Sequence, residues 1–341
     1  MIEREAYLVL DTNIWVYKTN LLTSSLGAAL LYSLNRTLRV LAIPEVIEEE
    51  IRKNVKKRGM ESVKDIQDGY GLIQRLMGSR DDYRVPSAEE FEKRIDLRAK
   101  ELGAYRIEFT FAHAKGALQR ILEELPPNGH KNQQFKDSAI WEAILDLAKD
   151  ARSVDFVTED KGFFEDKNPD LGLAKNLKAD CEKVPGIKVY YSLDSYLETI
   201  NQEVPPLYHE EIFHKMDLFI KLASRDVMRK GYDIGILLEH KSYFYRTENG
   251  NIIAIGFEFV YETHGVKHPE TQQEIEAKAL VKGDCFYRVL ENRVEDMRFD
   301  NIQLVDATGK AIPEYDETFG RFEISIGRKN IPYTLREPLE V

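Results

Sequence analysis

Five consecutive uncharged residues, Ala6–Leu10 (AYLVL), run straight into Asp11-Thr12-Asn13. A run this short, apolar throughout and stopped by a polar turn, has the pattern of a strand buried on both faces of a parallel sheet. The same pattern recurs at Arg39–Ile43 ahead of Pro44-Glu45, at Val154–Thr158 ahead of Glu159-Asp160, and at Lys188–Tyr191. Helical stretches separate these runs. Strands alternating with helices imply an α/β fold, a mostly parallel sheet with helices on both faces. In such sheets functional side chains gather at the carboxyl ends of the strands.

The intervening segments carry their own signals. A helical region is expected from the end of the first strand to about Asn35. Pro44 stands where a first helical residue would, and Val46, Ile47, Ile51 and Val55 then repeat at helical spacing. Residues 59–86 contain Gly59, Gly69, Gly71 and Gly78, which predicts broken helix and loop. Ser87 and Glu90 form a capping box, and Phe91, Ile95, Leu102, Tyr105 and Phe109 follow at roughly helical spacing up to Pro126-Pro127-Asn128-Gly129. Asp137–Lys149 reads as an amphipathic helix.

At 341 residues with 43% hydrophobic content, the chain exceeds what one core comfortably organises, so two domains are expected. Pro205-Pro206 marks the boundary, giving domains 1–204 and 205–341. Beyond a helix near His209–Lys230 the pattern turns to β. Tyr243, Tyr245, Ile253, Ile255, Phe257 and Phe259 alternate around Asn249-Gly250, a hairpin signal. Phe286–Leu290, Met297–Val305 and Arg321–Ile326 read as further strands, so the second domain is expected to be smaller and α+β or mostly β. Its period-2 aromatics, including Tyr261, are more often a packed sheet face than a base-stacking platform.

A net charge of −11 excludes nucleic-acid binding through global positive charge, though not through a local basic track. Two cysteines, Cys181 and Cys285, make neither a disulfide framework nor a Cys-rich zinc site and favour a reducing compartment, hence a cytoplasmic location. Met1–Glu5 is too acidic for a signal peptide, and Leu21–Leu34 is too short and too hydroxylated to cross a bilayer; no membrane partner is expected. His264 and His268 lie four apart without cysteine support, a weak zinc signal. Neither a Gly-rich phosphate loop nor a Gly-x-Ser-x-Gly elbow occurs.

Four acids stand at strand ends or helix starts: Asp11 after the first strand, Glu50 on the helix after the second, Asp137 at the start of a helix, and Asp160 after the strand Val154–Thr158. Singly each is ordinary. Asp11 and Asp137 are good helix N-caps, Glu48-Glu49-Glu50 reads as a solvated face, and Asp160 as a turn residue. Together at one sheet edge they would repel one another unless a cation sat among them. Hard divalent ions with oxygen ligands, Mg²⁺ or Mn²⁺, answer that need, and such a site suits in-line displacement at a phosphodiester.

In order and context these motifs resemble the PIN-domain nucleases over roughly residues 6–200: Leu10-Asp11-Thr12-Asn13, Ile43-Pro44-Glu45-Val46 with an acid before an aliphatic residue, Lys136-Asp137 opening a helix, and Val157-Thr158 followed by Asp160 and Phe163. The resemblance implies a PIN-like parallel sheet flanked by helices and a Mg²⁺- or Mn²⁺-dependent nuclease cutting RNA more than DNA. Asp11, Glu50, Asp137 and Asp160 would be the catalytic and metal-holding acids, with Thr12, Asn13 and Thr158 as supporting polar groups. Glu49 is the second choice for the helix position, because neighbours on a helix differ by about 100°. Compact PIN domains join the second and third acids more closely; here 86 residues intervene, which implies a branch with a helical insertion at about 59–130. A homodimer and a protein inhibitor or activator are further partners the resemblance allows.

Arg52, Lys53, Lys56 and Lys57 continue the helix of Glu50, and Lys136 and Lys161 adjoin two of the acids. These six could contact phosphates, or merely complement a helix dipole and balance local charge. Two rival readings differ in class. One is an inactive PIN-like scaffold that binds nucleic acid or protein. The other is a haloacid-dehalogenase-type phosphatase, which wants a second Asp where this chain has Asn13.

Overall fold

The computed structural model describes residues 5–81, 83–129, 133–201, 204, 209–227, 232–267 and 273–312. The chain divides into two compact units, Met1–Gln202 and Glu203–Val341.

In the first unit, strands β1 (Ala6–Leu10), β2 (Arg39–Pro44), β4 (Ser153–Val157) and β5 (Ile187–Tyr190) lie where the apolar runs predict. A further strand, β3 (Tyr105–Ile107), joins the edge, so the sheet has five strands in the order β3-β2-β1-β4-β5, all parallel. The apolar spacing predicts Tyr105 on a continuing helix. Instead α3 (Ala88–Glu101) stops at Leu102-Gly103, and Gly103 adopts φ +57° before the chain extends against β2. Central β1 is buried along Leu8, Val9 and Leu10, as expected for a strand flanked on both edges and both faces.

Helices α1 (Ser25–Thr37), α2 (Glu45–Met77), α4 (Phe111–Leu122), α5 (Phe135–Asp150), α6 (Lys175–Lys183) and α7 (Leu193–Ile200) complete the unit, with α1 packing on α7 and α2 on α5. Helix α2 is unbroken for 33 residues through Met77, so the break expected over residues 59–86 comes only from Gly78 onward. Gly59 does not break the helix because it serves its packing: a Cβ there would lie 2.5 to 2.7 Å from three ring carbons of Phe91 on α3. Nothing lies within 4 Å of a Cβ at Gly69. Gly69→Ala should therefore stabilise by about 0.5–1 kcal/mol through helix propensity. Gly59→Ala, forced to displace Phe91, should cost about 1 kcal/mol. Thermal melts of the two variants check the opposite signs. The capping box at α3 forms as read, with the Glu90 amide donating to Ser87 Oγ and the Ser87 amide to Glu90 Oε2 at 2.8 Å.

In the second unit, α8 (His209–Val227) precedes a four-stranded antiparallel meander of β6 (Asp233–Arg246), β7 (Ile252–His264), β8 (Ala277–Arg288) and β9 (Arg293–Asp306). Ile212, Met216 and Ile220 of α8 share a core with Phe257, Phe259, Tyr261, Val281 and Phe299. The alternating aromatics are thus mostly core, with Tyr245, Phe257, Phe259 and Tyr261 buried. The Asn249-Gly250 turn is a wider loop than a two-residue hairpin, since the last cross-strand pair is Arg246 with Ile253. Pro205-Pro206, Lys230, His268 and the strand expected at Arg321–Ile326 lie outside the described residues.

Candidate active site

The carboxyl edge of the sheet is where the acids meet. Buried β1 delivers Asp11 to the end of the strand, where its amide donates to Val157 O at 2.9 Å and places it beside Thr158. The Thr158 hydroxyl donates to Asp11 Oδ2 at 2.6 Å and accepts the Asp160 amide at 3.0 Å, so one buried hydroxyl ties two of the acids together. Thr12 does the same on the other side. Its amide donates to Asp11 Oδ1 at 2.6 Å and its hydroxyl to Glu50 Oε2 at 3.0 Å.

Glu50 is reached from α2, and the three consecutive glutamates take three different directions. Glu48 turns inward to Arg52 (2.5 Å) and Arg106 (2.9 Å). Glu49 has a side chain 71% exposed. Glu50 faces Thr12 and accepts from Lys136 Nζ. Asp137 is the third residue of α5 rather than its N-cap, which is Gln134 without a side-chain bond. Asp160 caps the short 3₁₀ turn Lys161–Phe163 by accepting the Gly162 amide at 2.7 Å, and Gln134 Nε2 donates to its other oxygen at 3.1 Å.

Burial, with the charge of the other acids added, raises the proton affinity of two of these carboxylates. Burial, followed by the charges of Asp160, Asp11 and Glu50, pushes the pKa of Asp137 up to about 7, with Lys136 opposing. Burial likewise pushes Asp11 up to about 6 against the lowering effect of its bonds from Thr158 and Thr12. Asp137 has no hydrogen-bond partner among the described residues, although the positive end of the α5 dipole lies beside it. Two residues after Asp11, Asn13 Oδ1 is buried, also without a hydrogen-bond partner among the described residues.

Among the described residues, no group of three or more His, Cys, Asp and Glu side chains is gathered tightly enough to hold an ion as it stands. The donor set still fits a hard divalent ion. Every donor is an oxygen, two of the acids carry raised pKa values that a cation would reverse, and Mg²⁺ or Mn²⁺ bridges wide carboxylate sets through retained waters.

Residues 8–163 match the family model described as a PIN domain. The N-terminal unit contains a PIN domain. The match spans all four acids and the segment from the end of α2 to the start of α5. No helix among the described residues is long and apolar enough to cross a membrane. Comparison with curated proteins and with solved structures gave no match.

The basic residues divide. Arg52 is held by Glu48 and by Asp96 of α3 at 2.5 Å, and Lys56 by Glu92 of α3 at 2.7 Å, so half of the supposed track serves the α2–α3 contact. Lys57 lies 4.0 Å from Glu61 and is 69% exposed, while Lys161 is exposed on its 3₁₀ turn. Lys53 and Lys136 line an open cleft beside Glu50 together with Glu45, Val46, Glu49 and Phe109.

Several structural partners escape a reading of the sequence. Gln134 on Asp160 is one. Asn128 is another: buried, it accepts the Gln134 amide at 2.7 Å and donates to Ser138 at 2.8 Å, bracing the entry to α5. Only the turn signal at Pro126–Gly129 hints at it.

Proposed function

We propose that the PIN domain is a metal-dependent nuclease that hydrolyses phosphodiester bonds in single-stranded RNA, RNA being preferred over DNA. The observation that supports this most directly is Asp137, a mostly buried carboxylate with a raised pKa and no hydrogen-bond partner among the described residues, beside three other acids. Such a group is costly unless a cation completes it.

Asp11, Asp137 and Asp160 would hold Mg²⁺ or Mn²⁺, which when bound polarises a phosphoryl oxygen and acidifies a water. Glu50 is fixed by Thr12 so that one oxygen can orient the attacking water and take its proton. Thr158 holds the Asp11 carboxylate in register with Asp160. Lys136, at Glu50 in the free protein, exchanges that carboxylate for the substrate phosphate. The water oxygen bonds to phosphorus as one ester oxygen leaves.

The test is cleavage of end-labelled single-stranded RNA and DNA with Mn²⁺, Mg²⁺ or EDTA. Cutting that requires the metal supports the reading; silence on every polymer overturns it. A second reading, an inactive PIN-like scaffold, is favoured by the loose spacing of the acids and by Lys136 on Glu50. It predicts binding of nucleic acid or protein without turnover.

Of the four α2 cations at positions 52, 53, 56 and 57, α3 engages Arg52 and Lys56 and leaves Lys53 and Lys57 for phosphate. Lys53→Ala with Lys57→Ala should flatten the salt dependence of RNA binding, lowering the slope of log K on log [salt] by about 1–1.5. Binding isotherms at four salt concentrations check it, and an unchanged slope removes both lysines from the phosphate path.

A further inference from the structure

The cleft beside Glu50 has a volume of about 440 Å³ and is lined by Glu45, Val46, Glu49, Glu50, Lys53, Phe109 and Lys136. It shares Glu50 and Lys136 with the acid cluster, so whatever enters it lies next to the reacting centre. Its wall is an aromatic side chain on the surface: Phe109 is 39% exposed and meets Phe135 edge-on at 6.4 Å between ring centroids. Phe135 is itself 41% exposed and precedes Lys136 and Asp137 directly.

At 39% exposure Phe109 offers part of its surface to solvent, and its backbone is held in place. Its backbone amide donates to Glu45 Oε2 at 2.6 Å, and the following Thr110 caps α4 through the His113 amide at 3.3 Å. The Glu45 carboxylate is thereby engaged, Glu50 is held by Thr12 and Lys136, and Glu49 lies 3.8 Å from Arg52. Lys53 keeps its charge for the cleft. A fixed aromatic face, apolar Val46 and cations beside a phosphodiester-cleaving centre match the chemistry of single-strand recognition, in which a base stacks while its phosphates meet ammonium groups. The volume suits one such residue.

We propose that this cleft is a nucleotide subsite: an unpaired base flanking the scissile phosphate stacks on Phe109, with Phe135 buttressing the ring and Lys53 and Lys136 meeting the adjoining phosphates. The subsite rests on the nuclease reading and deepens it. It makes single-strandedness a requirement of the site, because a paired base cannot present its face to the ring. Glu49 at the rim can accept from an exocyclic amino group, favouring bases that carry one.

The test uses the full chain carrying Asp137→Asn, so that the strand stays intact, and a labelled twelve-nucleotide single-stranded RNA. Adding Phe109→Ala should weaken binding roughly 5- to 100-fold. Phe109→Trp should restore it and Phe109→Leu should not, and melting temperatures measured alongside separate a loss of stacking from a loss of fold. An abasic nucleotide walked along the strand should weaken binding at one position, and that loss should vanish in the Phe109→Ala background. Binding within twofold of the parent for Phe109→Ala, or an abasic profile indifferent to Phe109, overturns the subsite alone. Absence of both binding and cleavage with the wild-type protein overturns the nuclease reading, and the subsite with it.

Discussion

Asp137→Asn should lower metal-dependent cleavage by about 10²–10⁴-fold and, in the metal-free protein at pH 8, raise the melting temperature. The first effect follows, on the proposed nuclease reading, from removing a ligand of the ion that would carry several kcal/mol of transition-state stabilisation. The second follows from the raised pKa. In the unfolded chain Asp137 titrates near the ordinary Asp value of about 3.9, whereas in the fold it titrates at about 7. The native state therefore holds a proton that the unfolded state has lost. Stability from this group is fully present below pH of about 4 and is lost as pH rises through about 7. A neutral amide in its place escapes the loss. Its gain at pH 8 should be roughly 2–4 kcal/mol, or roughly 5–15 °C for a unit of this size.

Between pH 8 and pH 5 that gain should shrink by more than half. Mg²⁺ or Mn²⁺ should reverse the order, stabilising the wild type and leaving the variant nearly unmoved. Calorimetry with and without metal at the two pH values checks each part. An equal gain at both pH values would mean that the substituted amide merely packs better than the carboxyl group. A loss of cleavage accompanied by destabilisation would mean that Asp137 maintains the fold and holds no ion.

The same acids show how far a sequence can carry such an argument. Strand ends are legible because an uncharged run such as Ala6–Leu10 has to stop somewhere, and whatever stops it lies at the sheet edge. Asp11 and Thr158 are therefore placeable, each at the end of its own run. Their hydrogen bond is not, because it depends on β1 pairing with β4 and the two residues are 147 apart. Lys136 on Glu50 and Gln134 on Asp160 are likewise products of the fold.

The basic track divides for a related reason. On α2 alone Arg52 and Lys56 face outward, but α3 folds back and brings Asp96 and Glu92 against them. Strand β3 hides in the sequence because its three residues, Tyr-Arg-Ile, are half exposed at an edge and carry no apolar run. Helix α2 outruns its sequence signal because a glycine costs a helix only about 1 kcal/mol, and Gly59 leaves room for the Phe91 ring.

Gly283→Ala should be the most damaging addition of a methyl group among the described glycines of the second unit. Gly283 lies in β8 at a register shift, opposite Phe299 of β9. A Cβ there would stand 1.9 Å from the Arg298 carbonyl oxygen and 2.8 Å from the Phe257 ring. The ring can turn, but the carbonyl belongs to the paired strand and can retreat only by opening the β8–β9 ladder. The next two residues of β8 add to the cost of opening, since Asp284 and Cys285 are fully buried. Overpacking of a side chain costs about 1–3 kcal/mol; with backbone as the obstacle the upper end or beyond, about 3 kcal/mol or more, is expected. Both tryptophans, Trp15 and Trp141, belong to the first unit, so indole fluorescence follows that unit alone. In urea the variant should lose its far-UV β signal at a lower midpoint while the tryptophan transition holds its position, as two units with separate cores allow. A variant whose β signal melts with the wild type would show that β9 yields freely at this bulge, and that the close approach at Gly283 constrains nothing.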